Sequence, residues 1–352
     1  MGLPQINSDF KSKGVSAIKR SGRGIIALII KDDTEGTFKE TVYKSITDID
    51  FTKISQRNYE YLKLIYKSSP AKVIVMNIGS TGQVSDALKK LKHLKFNYLV
   101  MPAASPEDTL TISTWIKEQR GKKKTFKAVL GNSKSDHEAI INFTTKNIKS
   151  VLSETVFNTV EYTARIAGVL ASLDLSRSST FYELDDIVSI EVHEDPDAAI
   201  DRGELIIIFD GDAFKIGRGV NSFTSFTTEK GQDFSKIKIV EGIDLYNDDI
   251  RDAFEKSYVG KFRNDYDNKQ SFVAAINGYI KSIEGDILDK NADNYCEIDV
   301  EAQRAYLEEK GISTEKMDEL NIKTYNTGSH LFVCNHVKFV DAMEDMDLIT
   351  YL

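Results

Sequence analysis

The sequence is poor in cysteine and contains no long apolar run. Its 352 residues include only two cysteines, Cys296 and Cys334, which are too few for a disulfide framework. No apolar stretch approaches the roughly 20 residues that a membrane-spanning helix needs. The opening residues MGLPQINSDFKSKG contain no apolar core of a secretory signal. We therefore expect a protein that is made in the cytoplasm and does not insert into a membrane.

Concentrated basic segments are also lacking. The 46 lysines and arginines are outnumbered by 54 acidic residues, and the formal net charge is -8. The basic residues are scattered along the chain, whereas binding to phosphate backbones needs a concentrated basic surface. The short run Arg120–Lys124 is interpreted as a solvated helix end and loop. The composition thus predicts that nucleic acid is not a partner.

Motifs for catalysis or metal binding are missing as well. The five histidines form no HExxH pattern and no paired Cys/His spacing, and the chain has no GxSxG element. The stretch Asp289–Glu301 partly resembles a calcium loop, but Val300 stands where a bidentate glutamate is needed. A polar turn leading into a helix explains it better. We predict no catalytic residues, no metal site and no cofactor.

One loop leaves an enzymatic alternative open. The residues NIGSTGQ (77–83) follow a strand and precede a helix, which is where α/β proteins bind phosphate. A phosphate-binding loop would continue with lysine and then serine or threonine, but Gln83 and Val84 stand there instead. A plain turn is favoured. The alternative function is an α/β nucleotide-binding protein or enzyme that uses this loop.

What the sequence does contain is an alternation of strands and helices. At 352 residues, two or more domains are expected. Continuous apolar runs at Ile25–Ile30, Lys72–Ile78 and Asn97–Met101 predict buried strands, with amphipathic helical spacing between them. Ser105 is predicted to cap a helix that begins at Pro106. This alternation is typical of a largely parallel sheet covered by helices.

The second half of the chain has a different pattern. A helix is predicted over Thr159–Leu173, and a β-rich stretch with a hairpin near Asp210–Asp212 follows. The last third is mainly helical and includes a helix capped by Asp299 and ended by Gly311. Two closing strands are predicted at the end. The fold class is therefore an α/β domain with a mixed, largely parallel sheet, followed by a C-terminal α+β domain.

Both ends of the chain have the pattern of isolated strands. In LPQINSDFK, Ile6, Ser8 and Phe10 share one side, and the residues Leu348–Leu352 are almost all apolar. An isolated strand cannot bury itself alone. It can pair at the exposed sheet edge of another subunit, which generates rings or helices when the pairing is head-to-tail. Pairing of both ends within the same chain is the other alternative.

Several long segments resemble the contractile phage tail sheath proteins, in particular the compact sheaths of prophages and R-type bacteriocins. The resemblance covers essentially the whole chain and involves no catalytic motif. It is carried by segments that include LPQINSDFK, AIKRSGRGIIALIIKD, ARIAGVLASLDLSRSSTFYEL, KIGRGVNSFTSFT, EIDVEAQRAYLEEKG and VKFVDAMEDMDL.

The resemblance implies a structural subunit with extended arms at both ends. Sheath subunits form six-fold rings around an inner tube, and the metastable sleeve contracts to drive the tube through a cell envelope. The arms correspond to Leu3–Lys11 and Asp345–Leu352, and the receiving strands include Leu331–Val340. Arm residues expected to contact a neighbour are Leu3, Ile6, Phe10, Met346, Leu348, Ile349 and Tyr351. Receiving residues are Leu331, Val333, Val337 and Phe339.

The resemblance also implies partners and a domain division. Partners are further copies of the chain, the inner tail tube protein, and baseplate and tail terminator proteins; Lys256, Lys261 and Arg263 are expected to face the tube. The segment Gly14–Gly24 would act as a hinge. An arm and linker span 1–22, an α/β domain spans 23–240 with a subdivision near 95–185 left open, and an α+β domain spans 241–352, with the arm at 345–352. Whether the particle is a phage tail, a bacteriocin or another contractile injection system is left open.

Overall fold

The computed structural model describes residues 18–19, 22–35 and 39–352. The chain divides into two compact units. The central unit comprises Gly22–Asp244 together with Asp341–Leu352, and the second unit is built around Leu245–Val340. The predicted residues Leu3, Ile6 and Phe10, and most of the predicted hinge, lie outside the described residues.

A seven-stranded sheet forms the centre of the central unit. Its strand order is β2-β3-β1-β4-β5-β6-β9, and every neighbouring pair is parallel except β2 with β3. Two antiparallel pairs, β7 with β8 and β10 with β11, complete the unit. The strands are β1 Ile25–Ile30, β2 Lys39–Tyr43, β3 Lys72–Asn77, β4 Tyr98–Val100, β5 Lys127–Gly131, β6 Ile140–Phe143, β7 Lys146–Ser150, β8 Ile187–Glu191, β9 Glu204–Leu205, β10 Ile207–Phe209 and β11 Phe214–Ile216.

Helices cover both faces of this sheet. The helices of this unit are α1 Gln56–Tyr66, α2 Val84–Leu91, α3 Pro106–Gly121, α4 Thr159–Ser172 and α5 Pro196–Asp201, and α6 Ile237–Ala253 begins in this unit and ends in the second one. Strand β1 shows why: Ile26 and Leu28 pack in one apolar cluster with α1 and α4, whereas Ala27 and Ile29 pack in another with α2 and α3. Side chains of a strand alternate between faces, so a continuous apolar run needs cover on both.

The predicted fold class and several element boundaries are confirmed. Helix α3 begins as expected, with Pro106 in its first turn. The Ser105 hydroxyl accepts a hydrogen bond from the Asp108 amide at 3.1 Å, and the Asp108 carboxylate accepts one from the Ser105 amide at 3.1 Å. This reciprocal arrangement satisfies two otherwise unpaired amide groups at the helix start. The predicted hairpin is also present, with β10 and β11 antiparallel around Asp210–Asp212.

The second unit combines helices with a two-stranded sheet. After a π-helical turn at Phe254–Tyr258, its elements are α7 Tyr266–Ile283, β12 Tyr295–Ile298, α8 Val300–Glu309, α9 Glu319–Thr324 and β13 Val333–His336. Strands β12 and β13 are antiparallel. Asn277 of α7 fixes the buried side of β12 because its side chain exchanges hydrogen bonds of 2.9 and 2.7 Å with the backbone of Cys296.

The cap predictions for α8 are confirmed, but only one of the two predicted closing strands is present. The Asp299 carboxylate accepts a hydrogen bond from the Ala302 amide at 2.8 Å, and Gly311 adopts a φ of 79° beyond the helix end. At the end of the unit, only Val333–His336 forms a strand. Phe339 makes an isolated bridge to Leu288 instead of extending it. The apolar alternation therefore overestimated the length of regular structure.

Candidate assembly surfaces

Glu344 anchors the C-terminal residues to the central unit. Its carboxylate is 3% exposed and lies 2.5 Å from the Lys236 ammonium nitrogen. The hydroxyl groups of Ser178, at 3.0 Å, and Thr180 donate to it as well. Burial raises the pKa of Glu344, but the hydrogen bonds and the charge of Lys236 outweigh burial and leave the pKa below its usual value. The carboxylate is therefore held ionised in a nearly dry site.

Beyond this anchor the chain is apolar and exposed. Residues 341–352 form no helix or strand. The exposed fractions are 83% for Met346, 76% for Leu348, 74% for Ile349 and 90% for Tyr351. Closely spaced large apolar side chains at this level of exposure are typical of a surface that binds another molecule. The structure thus brings the four predicted C-terminal arm residues into one exposed segment.

The predicted receiving residues lie at the end of the second unit. Val333 is in β13 opposite Ile298 of β12, and Leu331, Val337 and Phe339 flank that strand. All four are half-buried. Within the part of the chain that the structure describes, β13 pairs only with β12, so its other edge presents unpaired backbone groups. Such an edge is a template for a further strand.

The three residues predicted to face the tube occupy one exposed segment between α6 and α7. Lys256 is 71% exposed and lies 2.7 Å from Asp252. Lys261 donates to the backbone carbonyl of Lys256. The side chain of Arg263 is 92% exposed and is 3.6 Å from Asp265. Two of the three charges are thus partly balanced by neighbouring acids.

The same segment contains an aromatic cavity that was not predicted. The cavity has a volume of about 520 Å³, and its lining includes Phe254, Tyr258, Phe262 and Phe272. The Tyr258 ring lies 4.6 Å from that of Phe272 and 5.2 Å from that of Phe262. The spacing of Phe254, Tyr258 and Phe262, four residues apart, was the available signal, since such residues share a helix face.

A buried charge network was also missed. The side chains of Lys127 and Asp244 are each 1% exposed and lie 2.7 Å apart, and Arg120 lies 2.5 Å from the same carboxylate. Nearby, Lys127 is 3.1 Å from Glu241, which also pairs with Arg23. Burial raises the pKa of Glu241, but the charges of Arg23 and Lys127 lower it to about 2. The network attaches the start of α6 to the sheet.

In the loop considered for phosphate binding, the amides of Gly79 and Ser80 already donate hydrogen bonds to side chains of the same chain. The Asn77 side chain accepts hydrogen bonds from the amides of Gly79, at 2.9 Å, and Asp32, at 3.0 Å. The Ser80 amide donates to the carboxylate of Asp33 at 2.9 Å. A phosphate would have to displace a carboxylate and remain beside its negative charge. Packing explains why position 82 is glycine, since a Cβ there would lie 1.8 Å from the Ile78 carbonyl oxygen.

The stretch compared with a calcium loop forms a polar turn. The Asp289 carboxylate accepts from the Asn291 amide at 2.9 Å, and the Asn294 side chain donates to the Asp289 carbonyl at 2.7 Å. These bonds lead the chain into β12. No helix among the described residues has the length and apolar character to cross a membrane.

Comparison with known proteins shows similarity along nearly the entire chain. Residues 79–222 match the phage tail sheath protein central domain, and residues 229–351 match the phage tail sheath C-terminal domain. A tail sheath protein of Clostridium phage phiCD119 is 39% identical over 361 aligned positions, which cover 99% of this chain and 98% of that protein.

Solved structures have the same fold at low sequence identity. A sheath tail protein from Desulfitobacterium hafniense superposes with a TM-score of 0.69 at 15% identity, covering 83% of this chain and 93% of that one. The contracted helical sheath of the anti-feeding prophage superposes with a TM-score of 0.72 at 11% identity, covering 100% of this chain and 99% of that one. The full-length similarity and both domain matches lead to one conclusion: this chain belongs to the phage tail sheath protein family.

Proposed function

We propose that this tail sheath subunit polymerises as rings of six around an inner tube, and that the sheath contracts from a metastable extended state to drive the tube through a cell envelope. The observation that carries the proposal is the exposed apolar segment Met346–Leu352 beyond a fixed anchor at Glu344. A segment held at one end and apolar along its length is suited to reach a neighbouring subunit.

The C-terminal arm Asp345–Leu352 adds a strand to the sheet of β12 and β13 in the next subunit. The free edge of β13 supplies backbone donors and acceptors, and each new hydrogen bond contributes about 0.5–1.5 kcal/mol net. Each face of the arm carries apolar residues, Met346 and Leu348 on one and Ile349 and Tyr351 on the other, with Asp345 and Asp347 at the start of the second face. The N-terminal arm Leu3–Lys11 pairs in the same way, and Leu331, Val333, Val337 and Phe339 receive the arms.

Pairing of this kind connects subunits without closing on two partners. A donor arm and an acceptor sheet are different surfaces, so each subunit uses one with each neighbour, and the result is a ring or helix. The proposed ring number of six agrees with a related assembly, because the anti-feeding prophage baseplate was symmetrised six-fold. Contraction needs no nucleotide, since a small gain per subunit is summed over many coupled subunits.

The proposal extends to further partners and to a domain division. Lys256, Lys261 and Arg263 face the inner tail tube protein, and the baseplate and tail terminator proteins hold the two ends of the sheath. The proposed domains are 1–22, 23–240 and 241–352, whereas by compactness residues 341–352 group with the central unit. The assembled protein is part of a virion tail or bacteriocin particle, and it assembles in the host cytoplasm.

Electron microscopy of the purified chain tests the proposal. Concentrated protein is expected to form hollow striated tubes with six-fold end views. A chain lacking Asp345–Leu352 is expected to stay folded, with an unchanged circular dichroism spectrum, and to remain monomeric. A matched control with Asp345→Ala keeps the apolar arm and still forms tubes. Tubes from the truncated chain would contradict the arm assignment.

A further inference from the structure

Cys334, His336 and Glu297 meet on one face of the β12–β13 sheet. Glu297 lies directly opposite Cys334 in the strand register, and His336 is two residues further along β13 on the same face. The Cys334 sulfur is 3.7 Å from Nε2 of His336, and that nitrogen is 3.6 Å from Oε1 of Glu297. One donor atom from each residue lies within 4.8 Å of the other two.

We propose that these three side chains bind Zn²⁺ or a chemically similar divalent cation. Thiolate, imidazole and carboxylate are the ligands that Zn²⁺ takes in proteins, and the softer thiolate disfavours Mg²⁺ and Ca²⁺. Ligands placed tetrahedrally at the usual zinc–ligand distances are about 3.5 Å from one another. The observed separations of 3.7 and 3.6 Å match this value. Water completes the fourth position.

Neighbouring side chains orient two of the three ligands. The Tyr295 ring stacks on the His336 imidazole with centroids 4.6 Å apart and an angle of 24°. Lys323 lies 3.9 Å from Oε2 of Glu297, whereas Oε1 is the atom nearest His336. Contacts that fix the ligands in this way raise the affinity of a metal site.

The charges around the thiol also suit a cation. Burial raises the pKa of Cys334, and the carboxylates of Asp299 and Glu297 raise it further. A divalent cation next to the sulfur has the opposite effect. The half-exposed side chains of His336 and Glu297, 50% and 42%, leave the site open to ions from solution.

A cation at this position would join β12 to β13 across the sheet. The fold holds these strands together over four residue pairs. A bond from both strands to one ion adds a link that is independent of the backbone hydrogen bonds. This consequence rests on the proposed function, because β13 carries the edge proposed to receive the arms. Cation binding itself does not depend on assembly.

Titration of the untagged, reduced full chain with Co²⁺ tests the site. Cobalt bound to a thiolate gives a charge-transfer band in the near ultraviolet. We expect one Co²⁺ per chain, displacement by Zn²⁺, and a rise in the melting temperature with Zn²⁺. Loss of the band is expected in Cys334→Ser, and affinity falls at least about tenfold in His336→Ala and Glu297→Gln.

Two variants serve as matched controls. Cys296→Ala removes the cysteine on the opposite face of the sheet, and His330→Ala removes a nearby histidine outside the cluster. Both are expected to keep the band. Absence of the band in the unaltered chain, or its persistence in Cys334→Ser, would overturn the proposal. Cobalt binding by a chain that forms no tubes would contradict the proposed assembly and leave the metal site established.

Discussion

The carboxylate of Glu344 and the ammonium group of Lys236 form a 2.5 Å ion pair at the root of the exposed C-terminal arm. The two residues are 108 positions apart, and Glu344 sits among the side chains of Ser178 and Thr180. Glu344 is fixed, and the next residue, Asp345, is already exposed. The C-terminal segment therefore leaves the central unit at a defined place. In the proposed assembly, a defined exit would limit where the arm can reach and lower the entropy lost on binding.

Replacing Glu344 is expected to destabilise the central unit. Glu344→Ala removes the closest partner of Lys236 and the acceptor of two hydroxyl groups. We expect this loss to lower the free energy of unfolding by about 1–3 kcal/mol. Urea unfolding at a concentration where the chain is monomeric measures this loss. Asp345→Ala removes a partner of Arg218, but the Asp345 side chain is 81% exposed. The free energy of unfolding should therefore change by less than about 1 kcal/mol. Equal losses of unfolding free energy in both variants would contradict the role of Glu344 as the anchor.

Two helical glycines are expected to respond oppositely to the same substitution. A Cβ at Gly168 in α4 would lie 2.5 Å from the backbone oxygen of Ile65 in α1, whereas a Cβ at Gly278 in α7 meets nothing within 4 Å. Gly278→Ala should raise the free energy of unfolding by about 0.5–1 kcal/mol through helix propensity. Gly168→Ala should lower it by about 1–3 kcal/mol because the helices must move apart. Thermal and urea unfolding distinguish the two outcomes, and stabilisation by both substitutions would contradict the close contact of α1 with α4.

The sequence predicted features that depend on local patterns. The apolar run of β1, the cap of α3 at Ser105 and the cap of α8 at Asp299 were all identified because their determinants lie within a few residues. Two closing strands were predicted and one is present, since the alternation over Leu331–Phe339 includes the isolated bridge of Phe339 as well as the short strand Val333–His336. Period-two patterns do not distinguish these cases.

Sites formed by distant residues could not be predicted in this way. Lys127 and Asp244 are 117 positions apart, and Glu297 is paired with Cys334 only through the register of two strands. Neither pair leaves a spacing signature in the sequence. The sequence analysis predicted no metal site from the histidine and cysteine spacings, whereas the fold creates a donor cluster that no local motif describes.

Charge reversal at the proposed tube surface is expected to weaken tube binding without affecting the fold. Lys261→Glu with Arg263→Glu changes two exposed charges, and we expect about tenfold weaker binding to the tube protein of the same particle, with reduced dependence on salt. Sedimentation with preformed tubes measures the binding. The matched control, Lys122→Glu with Lys124→Glu, makes the same charge change on an exposed loop of the central unit. Equal weakening in both variants would show that only net charge matters.

The half-buried histidine His137 is expected to make the protein lose stability in mild acid. Burial lowers its pKa to about 4, and the attraction of Glu138 opposes this only in part. Its Nδ1 accepts a hydrogen bond from the Ala139 amide at 3.1 Å, which requires that nitrogen to be unprotonated. The unfolded chain binds a proton near pH 6.5, whereas the folded chain does so only near pH 4. The stabilisation is therefore complete above pH 6.5 and is lost as the pH falls toward 4.

A variant that lacks only this histidine isolates its contribution. Between pH 7 and pH 4.5 the unaltered protein should lose about 1–3 kcal/mol of unfolding free energy that His137→Gln does not lose, because glutamine does not titrate. Urea unfolding at a series of pH values gives both curves. His93→Gln is the control, since His93 is exposed and its replacement should leave the slope unchanged. If His137→Gln kept the full pH dependence, the loss would have to come from other groups, and the neutral buried imidazole would not be its source.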